Sequence, residues 1–314
     1  MSWKNYDPVS QLPHLYEGEV LSDGVVIPTT DDVAYDYFKD FRWVYNKMTI
    51  CHTQKIPHGP IGTQPTEYPI CVKPIINLFG GSLGSVVCKT EEEYRSLTNP
   101  GVFWSRYAMG DHYSIDYIIL DGHIMKSFAF LGHKLQHGSF DYWELAKLPL
   151  DVEDILADWI YNNFLGYTGC LNVEVIGTQI IEAQLRMGDI DRLGDHELMQ
   201  AIHTLYNDNV WAYEENEYTP KTFYLSALFA QKDIKFTINK RLFDYSIGNQ
   251  LIYYQFDDPD LYFTNPEHGN RVALFCDSDF DSVIAARNIA IEMISPDIDG
   301  KYLSPLNGYL ELSI

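Results

Sequence analysis

The chain has 314 residues, 46% of them apolar and 14% aromatic, enough to bury a sizeable core in one large or two ordinary domains. Its 22 Lys and Arg stand against 44 Asp and Glu, a net charge of −22 that excludes a nonspecific nucleic-acid binder and confines any anion site to a local cluster. No stretch approaches the roughly 18 apolar residues of a membrane span, and 5 cysteines with no C-x-x-C pair argue against a disulfide framework and a zinc site, so a cytoplasmic protein without membrane contact is expected.

Residues 1 to 32 carry scattered Pro, Gly and Asp and read as a surface wrap. Tyr35, Phe38, Phe41, Val44 and Tyr45 share one face at spacings of three and four, which predicts a helix over 33–50. A Pro/Gly-rich connector follows from Pro57 to Pro69. The next run is a short apolar strand carrying Lys73, then a glycine loop with Gly80, Gly81, Ser82 and Gly84. A lysine in such a strand either keeps its ammonium in water at a sheet edge or meets an anion, because an unpaired charge is rarely buried. Glycine amides close by could hold the same anion, with no β-carbon in the way. The sequence lacks the P-loop, the Rossmann fingerprint and the protein-kinase motifs.

Beyond the loop, Ser85 to Cys88 continues as a strand, and Thr90 caps a helix Glu91 to Leu97 with Glu93 closing a capping box. Strands are predicted at Trp104 to Met109, Tyr113 to Leu120 and His123 to Phe130, the last two joined through Asp121-Gly122. A helix spans Val152 to Phe164. Leu171 to Ile176 and Gln179 to Leu185 form a hairpin through Gly177-Thr178. A helix at Asp195 to Tyr206, strands at Phe223 to Ala230 and Val272 to Phe275, and a helix Phe280 to Ile294 capped by Asp279 complete the pattern. The cysteines, Cys71 and Cys88 in particular, read as small core residues.

The hairpin carries the strongest chemical signal. Glu182, Gln184 and Arg186 alternate onto one face, and pairing around Gly177-Thr178 sets Glu174 nearly opposite Glu182. Period-two polarity also describes any solvent-facing hairpin. Two carboxylates that close repel unless a cation lies between them, and Mg2+ suits them because hard cations bridge carboxylates to phosphate oxygens.

A lysine strand, a glycine loop, a strand meander and a carboxylate hairpin ending in arginine, in that order over residues 40 to 190, resemble the ATP-grasp family. The resemblance implies an α+β fold in which two α+β subdomains with antiparallel sheets grip a nucleotide. It divides the chain into a short N-terminal segment 1–40, subdomain A at 41–110 with the glycine loop, subdomain B at 111–190 with the metal hairpin, and a C-terminal part 191–314. That last part is expected to cover the cleft or make a homo-oligomer contact. Asn46-Lys47 and Lys73 resemble the family's phosphate-binding lysines, and Gly80 to Ser85 its mobile phosphate loop. Ser105 to His112 resembles the hinge strand, with Arg106, Tyr107 and Ala108 facing adenine. Glu174, Glu182 and Gln184 resemble the metal ligands, and Arg186, with Lys73, the catalytic cations. His112 takes the place of a ribose-binding glutamate, and Gln184 that of an asparagine. The implied activity is an ATP- and Mg-dependent ligation of small-molecule carboxylate and amine substrates. The other reading is an altered scaffold that binds a nucleotide or a partner without turning ATP over. Asp116, His133, Lys134, His137 and Tyr142 fall near the expected acceptor side, with a solvated loop or edge as the alternative for each.

Overall fold

The computed structural model describes residues 21–76, 78, 84–134, 140–215, 219–230, 236–248, 251, 253–256, 270–296, 302–306 and 309–313. The chain divides into two compact units, one of Met1–Phe130, Lys147–Asp191 and Asp195–Thr219, the other of Leu131–Ala146, Arg192–Gly194 and Pro220–Ile314. In chain order the elements are α1 (Asp31–Tyr37), α2 (Lys47–Thr53), β1 (His58–Pro60), β2 (Ile70–Pro74), β3 (Val86–Cys88), α3 (Glu91–Arg95), β4 (Val102–Arg106), β5 (His112–Leu120), β6 (His123–Lys134), β7 (Phe140–Ala146), α4 (Leu150–Asn163), β8 (Gly169–Ile176), β9 (Gln179–Gln184) and α5 (His196–Asp208). They continue with β10 (Tyr224–Ala230), β11 (Phe236–Ile238), α6 (Lys240–Ile247), β12 (Tyr253–Phe256), β13 (Asn270–Asp277), α7 (Phe280–Met293), β14 (Ile294–Pro296), β15 (Tyr302–Leu306) and β16 (Tyr309–Ser313). No helix among the described residues is long and apolar enough to cross a membrane.

The first unit holds two antiparallel arrays, a four-stranded sheet in the order β1-β4-β2-β3 and the strands β6-β5-β8-β9. In the first sheet Ile70, Val72 and Trp104 point to one side and pack with Cys88 and Tyr94. Lys73, two residues from Cys71 on the same strand, therefore points to the other side. Thr90 caps α3 as expected: its hydroxyl accepts from Glu93 N, and the Glu93 carboxylate accepts from Thr90 N. Thr90→Ala removes one of these reciprocal bonds and is expected to cost about 1 kcal/mol, read as a lower urea midpoint at unchanged slope.

The helix predicted over 33–50 is corrected by the structure. It breaks into α1, a 3₁₀ turn at Arg42–Tyr45, and α2. The break has a local cause. Asn46 is extended, and its side-chain oxygen accepts from Met48 N and Thr49 N, so a new helix starts there and Lys47 becomes its first residue. The aromatic residues of the broken segment still pack: Phe41 stacks on Phe164, and Trp43 meets Trp159 edge-on. The Pro/Gly connector also holds more than a loop, since its residues His58–Pro60 pair with Phe103–Ser105 of β4.

In the second unit β12-β13-β10-β7 run side by side, and β16 adds parallel to β10. Phe243 of α6, Val283 and Ala286 of α7, and Val272 and Phe275 of β13 form its core. Arg287 of α7 is buried there, and its Nη1 donates to the Asp141 carbonyl and to the Ser226 hydroxyl. All five cysteines are free, four of them buried.

Candidate functional site

The β8–β9 hairpin sets the geometry. Asn172 pairs with Gln184 and Glu174 with Glu182, then the register slips so that Val175 opposes Ile180. Ile181 is thus the extra residue of a bulge, which leaves its carbonyl outside the ladder. Lys73 Nζ donates to that carbonyl at 3.1 Å. The Lys73 side chain is buried, lies over the Phe103 ring at 5.9 Å, and has no carboxylate within ion-pair distance among the described residues. Burial, helped by the neighbouring Lys47 ammonium, pushes its pKa down.

The two facing carboxylates each have a nitrogen partner. Glu182 Oε2 is 2.8 Å from Lys47 Nζ, and its Oε1 accepts from Gln184 Nε2 at 3.3 Å. Glu174 Oε2 is 3.1 Å from His112 Nε2. Burial alone would raise the Glu174 pKa, but the His112 hydrogen bond and charge, with Lys47 and Arg186 beyond, outweigh it and hold the group low. His112 is directed at this carboxylate, which the sequence did not predict.

Arg186 lies on the same rim. Its Nε and Nη2 donate to the two oxygens of Asp31, at 2.8 and 3.3 Å, and its Nη1 donates to the Met187 carbonyl. Asp31, the first residue of α1, is buried, and burial outweighs the guanidinium in raising its pKa. Its role beside Arg186 was not foreseen; the only trace in the sequence is an acid at the start of a helix. Tyr45 links the same elements, its hydroxyl accepting from Leu185 N at 3.1 Å.

Two further side chains fix the hairpin. Gln54 closes the outer edge of β9, its amide nitrogen donating to Ile180 O at 2.9 Å and its oxygen accepting from Ile180 N at 2.8 Å. Asp116 is wholly buried on β5 and accepts from Gly188 N, Asp189 N and Asn172 Nδ2. It is neither a solvated edge residue nor an open acceptor group. The turn is equally tight: Gly177 has φ +58° and donates to Asp111 O at 2.9 Å, and a β-carbon there would stand 2.4 Å from the Met109 carbonyl oxygen. Gly177→Ala is therefore expected to cost at least about 2 kcal/mol in denaturant unfolding.

In the segment between β4 and β5, Arg106 N donates to Pro57 O, and Arg106 O accepts from Gln179 Nε2 at 3.3 Å with a second lone pair left over. Its side chain pairs with Glu67. Among the described residues the backbone groups of Tyr107 and Ala108 carry no such bonds. Gly80, Gly81 and Ser82 lie outside the described residues; Gly84, at φ +72°, makes the turn that leads into β3. His133 and Tyr142 belong to the second unit, where their rings stack at 4.0 Å and His133 Nε2 is 2.9 Å from Glu144 Oε1. Lys134 is exposed at the end of β6, and His137 lies outside the described residues.

Among the described residues no group of three or more His, Cys, Asp or Glu converges as a ready metal cage. The donor set at the hairpin nevertheless fits Mg2+, which usually takes one or two carboxylates and completes its shell with water and phosphate. Glu174 and Glu182 face each other, and Gln184 meets Glu182 through its amide nitrogen, so its oxygen would turn to a metal only by a flip of the amide.

No family model and no curated protein matches the sequence. Solved structures do match in three dimensions. The L-amino acid ligase of Bacillus licheniformis superposes with a TM-score of 0.58 at 14% identity, over 86% of this chain and 77% of that one. The biotin carboxylase domain of a Hydrogenobacter thermophilus 2-oxoglutarate carboxylase, solved with MgADP and bicarbonate, gives 0.58 at 13% identity, over 83% and 68%. Carboxyaminoimidazole ribonucleotide synthase of Aspergillus clavatus, solved with ATP, gives 0.52 at 11%, over 80% and 73%. These are ATP-grasp enzymes, and with its paired antiparallel arrays and lysine-to-hairpin contacts the chain has the ATP-grasp fold.

Proposed function

We propose that this chain is an ATP- and Mg-dependent ligase that activates a small-molecule carboxylate as an acyl phosphate and passes the acyl group to an amine. One observation carries the reading: the buried Lys73 and Lys47 ammoniums meet the bulged hairpin that bears Glu174 and Glu182. Lys47, Lys73 and Arg186 thus gather on the hairpin that carries the facing acids, which suits a polyphosphate and its counter-ion better than it suits a closed protein core. The ligases and carboxylases with which the fold is shared support the same reaction class.

In this reading residues 41–110 and 111–190 are the two lobes of the nucleotide site. Lys47 and Lys73 bind phosphate oxygens, and Tyr107 and Ala108 offer backbone groups to the adenine edge. Gly80, Gly81, Ser82 and Gly84 bind the phosphates. Glu174, Glu182 and Gln184 hold Mg2+, which when bound neutralises phosphate charge. His112 orients Glu174, and Arg186, steadied by Asp31, offsets charge developing on the transferred phosphoryl group. The substrate carboxylate attacks the γ-phosphorus and ADP leaves; the amine then attacks the acyl carbon and phosphate leaves. Free thiols at all five cysteines support action in the cytoplasm.

Calorimetry with Mg-ATP tests the reading. Wild type is expected to bind, and Lys73→Ala to bind about 10- to 100-fold more weakly, the worth of one or two charged hydrogen bonds. Absence of binding by wild type, or an unchanged affinity in the variant, would overturn it. A second reading, nucleotide binding without ligation, is favoured by the Arg186–Asp31 pair, which commits most of that guanidinium to the protein. ADP release on a panel of carboxylates and amines separates the two.

A further inference from the structure

A cavity of about 770 Å³ opens on the first unit, walled by the end of α2, the segment joining β4 to β5, helix α4 and the β8–β9 turn. Its volume is that of a small-molecule site. Lys47, Lys73, His112, Glu174, Glu182 and Arg186 are all absent from its lining.

The wall has a definite chemistry. Tyr107, Met109 and Ile155 come together here although they are 37%, 77% and 41% exposed, and Trp159 is buried behind them. Such a gathering of uncovered apolar side chains marks a binding surface. The polar lining is partly committed. Gln179 Nε2 donates one N–H to Arg106 O and Asn162 Nδ2 one to Asp158 O, so each carboxamide keeps its oxygen to accept and one N–H to donate. Arg106 is a cation of the wall, and Glu67 meets its charge at 2.6 Å. The Asp158 carboxylate has no ion pair among the described residues. What remains is amide groups that can accept or donate, one uncompensated negative charge, and aromatic and aliphatic bodies.

We infer that this cavity binds an amphipathic organic cation, an ammonium or guanidinium group joined to an apolar body, with the charge at Asp158 and the body against Tyr107, Met109 and Ile155. Carboxylate attraction and cation–π contact both favour such a ligand over a neutral or anionic one. An occupant would brace the Arg106–Met109 segment against Gln179 at the foot of the β8–β9 hairpin and thereby change nucleotide affinity. That consequence rests on the ATP-dependent function proposed above; the binding itself does not.

Calorimetry on the full chain without nucleotide tests the site, with phenethylamine as the cationic probe and phenethyl alcohol as its uncharged counterpart. The amine is expected to bind about fivefold tighter than the alcohol. Asp158→Asn should erase that preference, Ile155→Ser should weaken both probes about fivefold, and Lys73→Ala should leave both unchanged. Both substituted side chains of the cavity are exposed, so these variants keep the fold. No binding of the amine, equal affinity for the two probes, or a preference that survives Asp158→Asn overturns the inference. Strict competition between phenethylamine and Mg-ATP overturns it too, because the cavity would then be the adenine site. Failure of wild type to bind Mg-ATP would remove the proposed function and leave the amine result standing.

Discussion

Glu182→Ala is expected to reduce Mg-ATP-dependent turnover by about 10² to 10³, the usual loss when one preorganised electrostatic group is removed from a reacting site. Two effects combine. The hairpin loses one of its two facing carboxylates, and Lys47, buried at the first position of α2, loses the partner 2.8 Å away. Leaving one member of a buried pair alone costs about 3–5 kcal/mol, so the alanine variant should also unfold at lower urea. Glu182→Gln separates the effects. It keeps a hydrogen-bond acceptor for Lys47 and the shape of the strand, so stability should be largely restored while turnover remains low. Measuring ADP release and the urea midpoint on both variants checks this. If Glu182→Gln regained full turnover, Glu182 would be a structural partner of Lys47 and no more.

Asp116→Ala should destabilise the first unit by about 3 kcal/mol, because it strips the acceptor from two backbone N–H groups and one amide where water cannot replace it. The carboxylate is 0% exposed and receives Gly188 N, Asp189 N and Asn172 Nδ2. It ties the chain leaving Arg186 to the centre of β5, next to the strand that bears Glu174. Burial raises its pKa from 3.8 to about 6, with the Gly188 bond acting in the opposite direction. The sign of the pH dependence follows from the raised value. Below about 3.8 both states hold the proton; as pH rises toward about 6 the unfolded chain releases it first and stability falls, and above that both are ionised. The wild type should therefore lose about 3 kcal/mol from this group across that window, at 1.36 kcal/mol per pH unit. Asp116→Ala should lack this contribution, which the difference between the two urea midpoints as a function of pH would show.

Much of the hairpin is legible in the sequence because its determinants are local. Gly177-Thr178 sets the turn and pairs Ile176 with Gln179 and Val175 with Ile180, which brings Glu174 to within one residue of Glu182; the bulge supplies the last step. The capping boundaries at Thr90, Asp195 and Asp279 are local in the same way. The segment 33–50 is not, although its signal was present. Apolar spacing continues through Asn46, but a side chain that can cap a helix interrupts it, and capping wins over periodicity. Non-local pairings leave no such trace. Nothing in His58-Gly59-Pro60 announces β4, and nothing near Asp31 announces Arg186, 155 residues away. The bulge that frees the Ile181 carbonyl for Lys73 depends on a register slip that alternation alone hides.

Gln54 has a consequence beyond positioning. β9 is the outermost strand of its array, and an open strand edge invites addition of a strand from another chain. The carboxamide of Gln54 presents a donor and an acceptor to the two backbone groups of Ile180, as a neighbouring peptide would. A single side chain thus imitates one residue of a further strand. At Ile180 the edge of the strand that bears Glu182 is thus already paired without another strand being built.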